Sequence, residues 1–284
     1  MNDYPVIDTW CNLFTPASME KNYADNPEMA HVVKLWSMGE RTRGWTTQEF
    51  SRILDASNVS TVIIPVWQSW SHKTQRMFWD MKVEEVAEVT RADPKRFKGM
   101  FGINPYARMD GVRALESAVR DHGFIAAQLH HYGYNLNPAD KAFFPFYAKC
   151  VELDIPVMIQ MGHSAELMPS EVGRPIHLDE VALYFPELRI IGAHTGWPWV
   201  EELIAMAWKH ANVYIATTAH LPKYWDKSLV HFLNSRGRGK VMYGTDFPVV
   251  NHEQSLAQIE QLGLKPEARK ALLYDTARKV FKLD

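Results

Sequence analysis

The sequence predicts an α/β chain folded as a closed (β/α)8 barrel of the TIM type, with a lid-like insertion after the first strand and an extra C-terminal helix. Three observations carry this. Eight short apolar runs rich in Val, Ile and Met, bounded by Gly or Pro, have the character of parallel strands covered on both faces. Segments whose apolar residues recur at three- and four-residue steps separate most of them. A strand-to-strand spacing of roughly 30 residues fits a barrel of about 250 residues.

The first strand is the run PVID at 5–8. A long segment follows, residues 13–45, too long for a plain connection and expected to cover a site, with a helix near 29–38. Thr46 and Thr47 with Glu49 form a capping arrangement that opens a helix over 46–56. The next strands fall at 61–65, 98–105 and 124–131, with helices at 74–91 and 110–121 between them. A helix over 138–153 begins at Pro138, whose missing donor is not needed in a first turn. Strands at 157–163, 188–194, 213–218 and 241–246 alternate with helices at 178–185, 200–210 and 227–234, and helices at 253–262 and 266–281 close the chain. An open doubly wound sheet is the other architecture weighed, but no Gly-rich turn follows the first strand.

No Ser/Gly tract, charge block or change of composition divides the chain, so one domain spanning 1–284 is expected. A net charge of -2, with both signs interspersed, removes the attraction that nucleic acid or an anionic membrane surface requires. No apolar run approaches the roughly 20 residues that cross a bilayer, the opening MNDYPVIDTW has no basic segment before an apolar core, and a cytoplasmic location is expected. Cys11 and Cys150 are expected as reduced thiols, Cys11 pointing away from Trp10 and Asn12 by strand alternation. A small molecule is the expected partner, and a homodimer the default assembly.

Working residues in such barrels sit at the carboxyl ends of the strands. Read in order, these ends give Asp8, Trp10 and Asn12; Trp67, Gln68 and Trp70; Asn104 and Tyr106; His130 and His131; His163; His194; His220; and Asp246. Trp197, Trp199 and Trp225 also follow strand ends, suiting a flat apolar or aromatic ligand. The stretch SAELMPSEVGRP after His163 is a second candidate wall, and its Arg174 is a candidate for a substrate carboxylate or, equally, for a surface salt bridge.

Together the blocks IDTWCN, GFIAAQLHHYGYNLNPADKAFFPFYAKCVELDIPVMIQMGH, IIGAHTGWPWVEELI, NVYIATT and VMYGTDFP resemble the amidohydrolase superfamily, in its branch of lactonases and nonoxidative decarboxylases. The resemblance implies a divalent metal held by a His-x-His or Glu-x-His pair ending the first strand, with the fifth-strand histidine and the eighth-strand aspartate. His163, His194 and Asp246 carry over, but Trp10 and Asn12 stand where the pair should be. Trp only donates and Asn offers a neutral amide oxygen, so two imidazole ligands are lost. Any Zn, Mn or Fe would then rest on His163 and Asp246, helped by His194 or His130, and would be weakly held or absent.

The resulting expectation is a hydrolase of a lactone or an aromatic or apolar ester, in which Asp246 activates water while His163 and His194 polarise the carbonyl or move the proton. Trp10, Asn12, Trp67, His130, Arg174, Trp197 and His220 are the candidate substrate contacts. Two alternatives stand beside it: a nonoxidative decarboxylase or hydratase of an aromatic acid, and a catalytically silent ligand-binding barrel.

Overall fold

Apolar runs that must leave water on both faces pair side by side, and the computed structural model, which describes residues 4–284, forms ten strands among them. They are β1 (Val6–Asp8), β2 (Val59–Pro65), β3 (Gln68–Trp70), β4 (Met77–Asp80), β5 (Phe97–Gly102), β6 (Ala126–Leu129), β7 (Val157–Gln160), β8 (Ile190–Ala193), β9 (Val213–Ala216) and β10 (Val241–Met242). Eight make one sheet in the order β1-β2-β5-β6-β7-β8-β9-β10, every neighbouring pair parallel. Every residue of β6, β7, β8 and β9 is buried, which is why these runs read as continuously apolar.

The sheet's two edges meet just beyond β1 and β10. Thr9 N–H donates to Tyr243 O at 3.1 Å, Asp246 N–H to Trp10 O at 2.8 Å and Asn12 N–H to Phe247 O at 2.9 Å. Side chains lock the same seam. Asp8 is fully buried; its Oδ1 accepts from Trp10 N–H and Thr245 N–H, and its Oδ2 from the Thr245 hydroxyl and His252 Nε2 at 2.8 Å. Asp8, a strand-end candidate by sequence, is thereby consumed in closing the barrel.

Helices lie between the barrel strands much as the periodicity predicts. Thr46 Oγ1 accepts from Glu49 N–H while the Glu49 carboxylate accepts from Thr46 N–H, the expected capping arrangement at the start of Thr47–Ala56. Two expectations need correction. Residues 74–91 are not one helix: Met77–Asp80 pairs antiparallel with Gln68–Trp70, and the helix runs only over Val83–Ala92. Trp79 stacks on Trp67 at 4.4 Å and 5°, so ring packing decides the local conformation. Likewise 138–143 is a run of turns in which Asn137 and Asp140 accept from Ala139 and Ala142 N–H, and Phe144–Glu152 is the helix, with Pro145 rather than Pro138 in its first turn.

The insertion after β1 holds short helical pieces, among them Ala30–Leu35, shorter than the expected 29–38. Met19, Tyr23, Met29, Val32 and Met38 turn inward, and Arg41 ties the segment down by donating to Trp36 and Ser37 O on one side and to Pro248 and Val249 O on the other.

Candidate active site

At the carboxyl end of the barrel the chain leaves β8, β9 and β10 through residues with positive φ: His194 at 60°, Ala219 at 66° and Asp246 at 58°. Non-glycine residues rarely adopt this region, and here it turns three successive strand ends into the wall of one cavity. Gly162 does similar work after β7, where a Cβ would stand 2.2 Å from Trp197 O; His163 N–H donates to that same oxygen at 2.9 Å. The cavity is lined by Asn12, Gln160, His163, Glu166, His194, His220 and Asp246 on its polar side. Tyr23, Met29, Val32, Trp36, Trp67 and Trp79 supply an apolar side.

Asn12 organises one end. Its Oδ1 accepts from both Trp10 Nε1 at 3.1 Å and Trp67 Nε1 at 2.8 Å, and its Nδ2 donates to Asp246 Oδ1 at 2.8 Å. Burial pushes the Asp246 carboxyl well above the usual carboxylate range; the nearby Glu166 and Asp8 charges add to the rise, and the Asn12 hydrogen bond opposes it. Asp246 therefore keeps its proton to higher pH than an ordinary carboxyl does. Because Asn12 donates to Oδ1, the acid proton belongs on Oδ2.

Glu166 behaves oppositely. Burial acts upward on it but is outweighed by His130, whose Nε2 stands 3.6 Å from Oε2, and by the Ser164 hydroxyl at 2.8 Å, so its pKa falls to about 2. At that distance the His130 ring lies beyond hydrogen-bond reach of Glu166. The lining imidazoles are kept neutral by burial. His194 falls to about 3, His220 to about 4, and His163 moves down too. Thr218 Oγ1 accepts from His194 N–H and pairs with its Nδ1 at 2.8 Å, orienting the ring and leaving Nε2 for a ligand.

Of the residues singled out by sequence, Asn12, Trp67, His163, His194, His220 and Asp246 meet in the cavity. Others do not. Trp10 is wholly buried behind Asn12, and His130 lies beneath Glu166. Arg174 is bound to Glu202, close to Glu171, and stacked over Trp199, which is the salt-bridge alternative for that residue. Trp197 stays half exposed with its ring edge-on to His163, Trp70 packs against Tyr106 and Tyr134, and Trp225 donates its indole N–H to His220 O. Tyr23 and Trp36 reach the cavity from the expected lid and Glu166 from the expected second wall, while Gln160 and Trp79 line it unforeseen. Gln160 did leave a signal, as the one polar residue inside the apolar strand VMIQ.

Among the described residues no group of three His, Cys, Asp or Glu side chains is arranged to hold a metal ion. The donor chemistry agrees, since indole N–H groups can meet only an acceptor, which fixes Oδ1 of Asn12 toward the tryptophans and turns its NH2, not a lone pair, to Asp246. The residues present do not fit a divalent cation at this position.

Comparison with known proteins bears on this geometry. A family model described as amidohydrolase matches residues 67–283. A gamma-resorcylate decarboxylase of Polaromonas sp. is 23% identical over 289 residues, covering 82% of this chain and 86% of that protein. An uncharacterized TIM-barrel protein of Bordetella bronchiseptica superposes with a TM-score of 0.79 at 20% identity, covering 99% of both chains. The 5-carboxyvanillate decarboxylase of Novosphingobium aromaticivorans, complexed with manganese and 4-hydroxy-3-methoxy-5-nitrobenzoic acid, superposes with a TM-score of 0.74 at 17% identity, covering 99% of this chain and 97% of that one.

Proposed function

Since this chain belongs to the amidohydrolase family, we propose that it is a lyase that removes the carboxyl group of a small aromatic acid by protonating the ring carbon that bears it. The observation that carries the reading is the placing of Asp246, a buried carboxyl whose pKa is pushed upward, at the edge of a cavity walled by Trp67 and Trp79. Likeness to aromatic-acid decarboxylases points the same way. The lactone or ester hydrolase expected from sequence is the weaker reading, because it needs Asp246 as a base. Glu166, the remaining carboxylate in the wall, is held near a pKa of about 2 and is a poor base.

In the proposed step the ring lies against the indole faces and Asp246 delivers its proton to the carbon bearing the carboxylate. The bond to the carboxyl carbon then breaks, its electron pair returns to the ring, and carbon dioxide leaves. Asp246 is left ionised and recovers its proton from water. Neutral N–H donors receive the substrate's oxygens: Gln160 Nε2, buried without a partner, and the imidazoles. Among the described residues no Lys or Arg lines the cavity, so the carboxylate's charge is not strongly held before it becomes neutral carbon dioxide.

A panel of hydroxybenzoic acids labelled at the carboxyl carbon tests this. The protein should release labelled carbon dioxide, with the rate falling as pH rises through the elevated pKa of Asp246. Asp246→Asn should lower the rate by about 10²–10⁴ while ligand binding survives. Inert acids alongside hydrolysed lactones would reject the lyase.

A further inference from the structure

The disagreement between Asn12 and a metal centre carries a further step: we infer that this site works without a divalent cation, the Asn12 amide occupying the place beside Asp246 that a metal ion would take. The inference deepens the lyase reading but is tested independently of it. Three facts fix the amide. Trp10 Nε1 and Trp67 Nε1 are obligate donors, and both reach Asn12 Oδ1, at 3.1 and 2.8 Å. The NH2 group therefore faces Asp246, bonding Oδ1 at 2.8 Å and approaching the backbone carbonyl of Asp246 at 3.4 Å. Trp10 is wholly buried and Trp67 nearly so, with Trp67 stacked on Trp79, so the indoles cannot swing aside to release the amide.

A cation placed against Asp246 would meet two N–H dipoles pointing at it, where a ligand must present a lone pair. Flipping the amide would offer an oxygen to the cation but set its NH2 against two indole N–H groups, leaving all of these buried donors unsatisfied. His163, His194, His220 and Asp246 share the cavity, but among the described residues no three of them are arranged as the three protein ligands that catalytic zinc sites keep. Asn12 is thus a positioning residue. It supplies a fixed hydrogen-bond donor to one Asp246 oxygen, so that the other is the one that exchanges a proton.

The test is manganese binding, read without turnover. Protein made in manganese-supplemented medium and purified without chelator should carry, by elemental mass spectrometry, far less than one transition-metal ion per chain. Manganese chloride should leave its melting temperature unchanged, since a ligand that does not bind the native state cannot stabilise it. The Trp10→His, Asn12→His double variant, which removes the donors and restores lone pairs, should take up manganese and gain melting temperature with it. If the double variant fails to fold, Asn12→Asp serves the same end by setting a second carboxylate beside Asp246. About one manganese per natural chain, with a melting temperature that rises as manganese is added, would overturn the inference. So would a folded variant that binds no better than the natural protein. Either result leaves carbon dioxide release to be judged on its own.

Discussion

Three histidines near the cavity, His131, His194 and His220, are held neutral by burial, at pKa values of about 3, 3 and 4. An exposed imidazole titrates near about 6.5. Between those values the unfolded chain binds protons that the folded protein refuses, so each histidine lowers stability as pH falls from about 6.5 toward 4. Asp246 acts with the opposite sign: its raised pKa keeps a proton on the folded protein that the unfolded chain has lost, and its contribution falls as pH rises. Three protons outweigh one. Denaturant midpoints should therefore drop between pH 7 and pH 5, His220→Gln should flatten the drop, and Asp246→Asn should steepen it. A midpoint independent of pH would contradict these protonation states. At this scale the sequence located several of the side chains that line the cavity, because strand ends face it, but not their charge states, which depend on neighbours far along the chain. Glu166 gave no sign of its partner His130, and Trp10 and Arg174, chosen by type, turned out to serve Asn12 and Glu202.

Among the elements, the seam between β1 and β10 depends on the buried trio Asp8, Thr245 and His252. Asp8 and His252 are both fully buried, so removing one strands the other. His252→Ala should cost about 3–5 kcal/mol of unfolding free energy, whereas the exposed pair Arg113 and Asp110 should contribute at most about 1 kcal/mol. Urea titration of His252→Ala and of Arg113→Ala checks this, and equal losses would deny the seam its role. Sequence pattern alone located the barrel strands, since two-sided burial leaves an uninterrupted apolar run. It misassigned 74–91 because Met77, Phe78 and Trp79 suit a helix face as well as a strand. The stack of Trp79 on Trp67, twelve residues earlier in the chain, and the pairing with Gln68–Trp70 favour a hairpin instead. His252, a helix-start residue with no strand-end context, carried no local mark of its contact with Asp8.

For the molecule as a whole, the closed sheet brings Asn12, His163, His194, His220 and Asp246 together from strands spread over the chain, and the insertion after β1 completes the cavity with Tyr23, Met29, Val32 and Trp36. The barrel order followed from the repeated strand-helix alternation. The reaction did not, because one carboxylate and several histidines serve a hydrolase or a lyase alike until the proton on Asp246 is assigned. Running the reaction in heavy water with a hydroxybenzoic acid, and reading the ring product by mass spectrometry and NMR, tests that assignment most directly. The account predicts one carbon dioxide released per product molecule and one deuteron on the ring carbon that bore the carboxyl group. Turnover of a lactone or ester with no new carbon–deuterium bond, and no carbon dioxide from any acid, would contradict it.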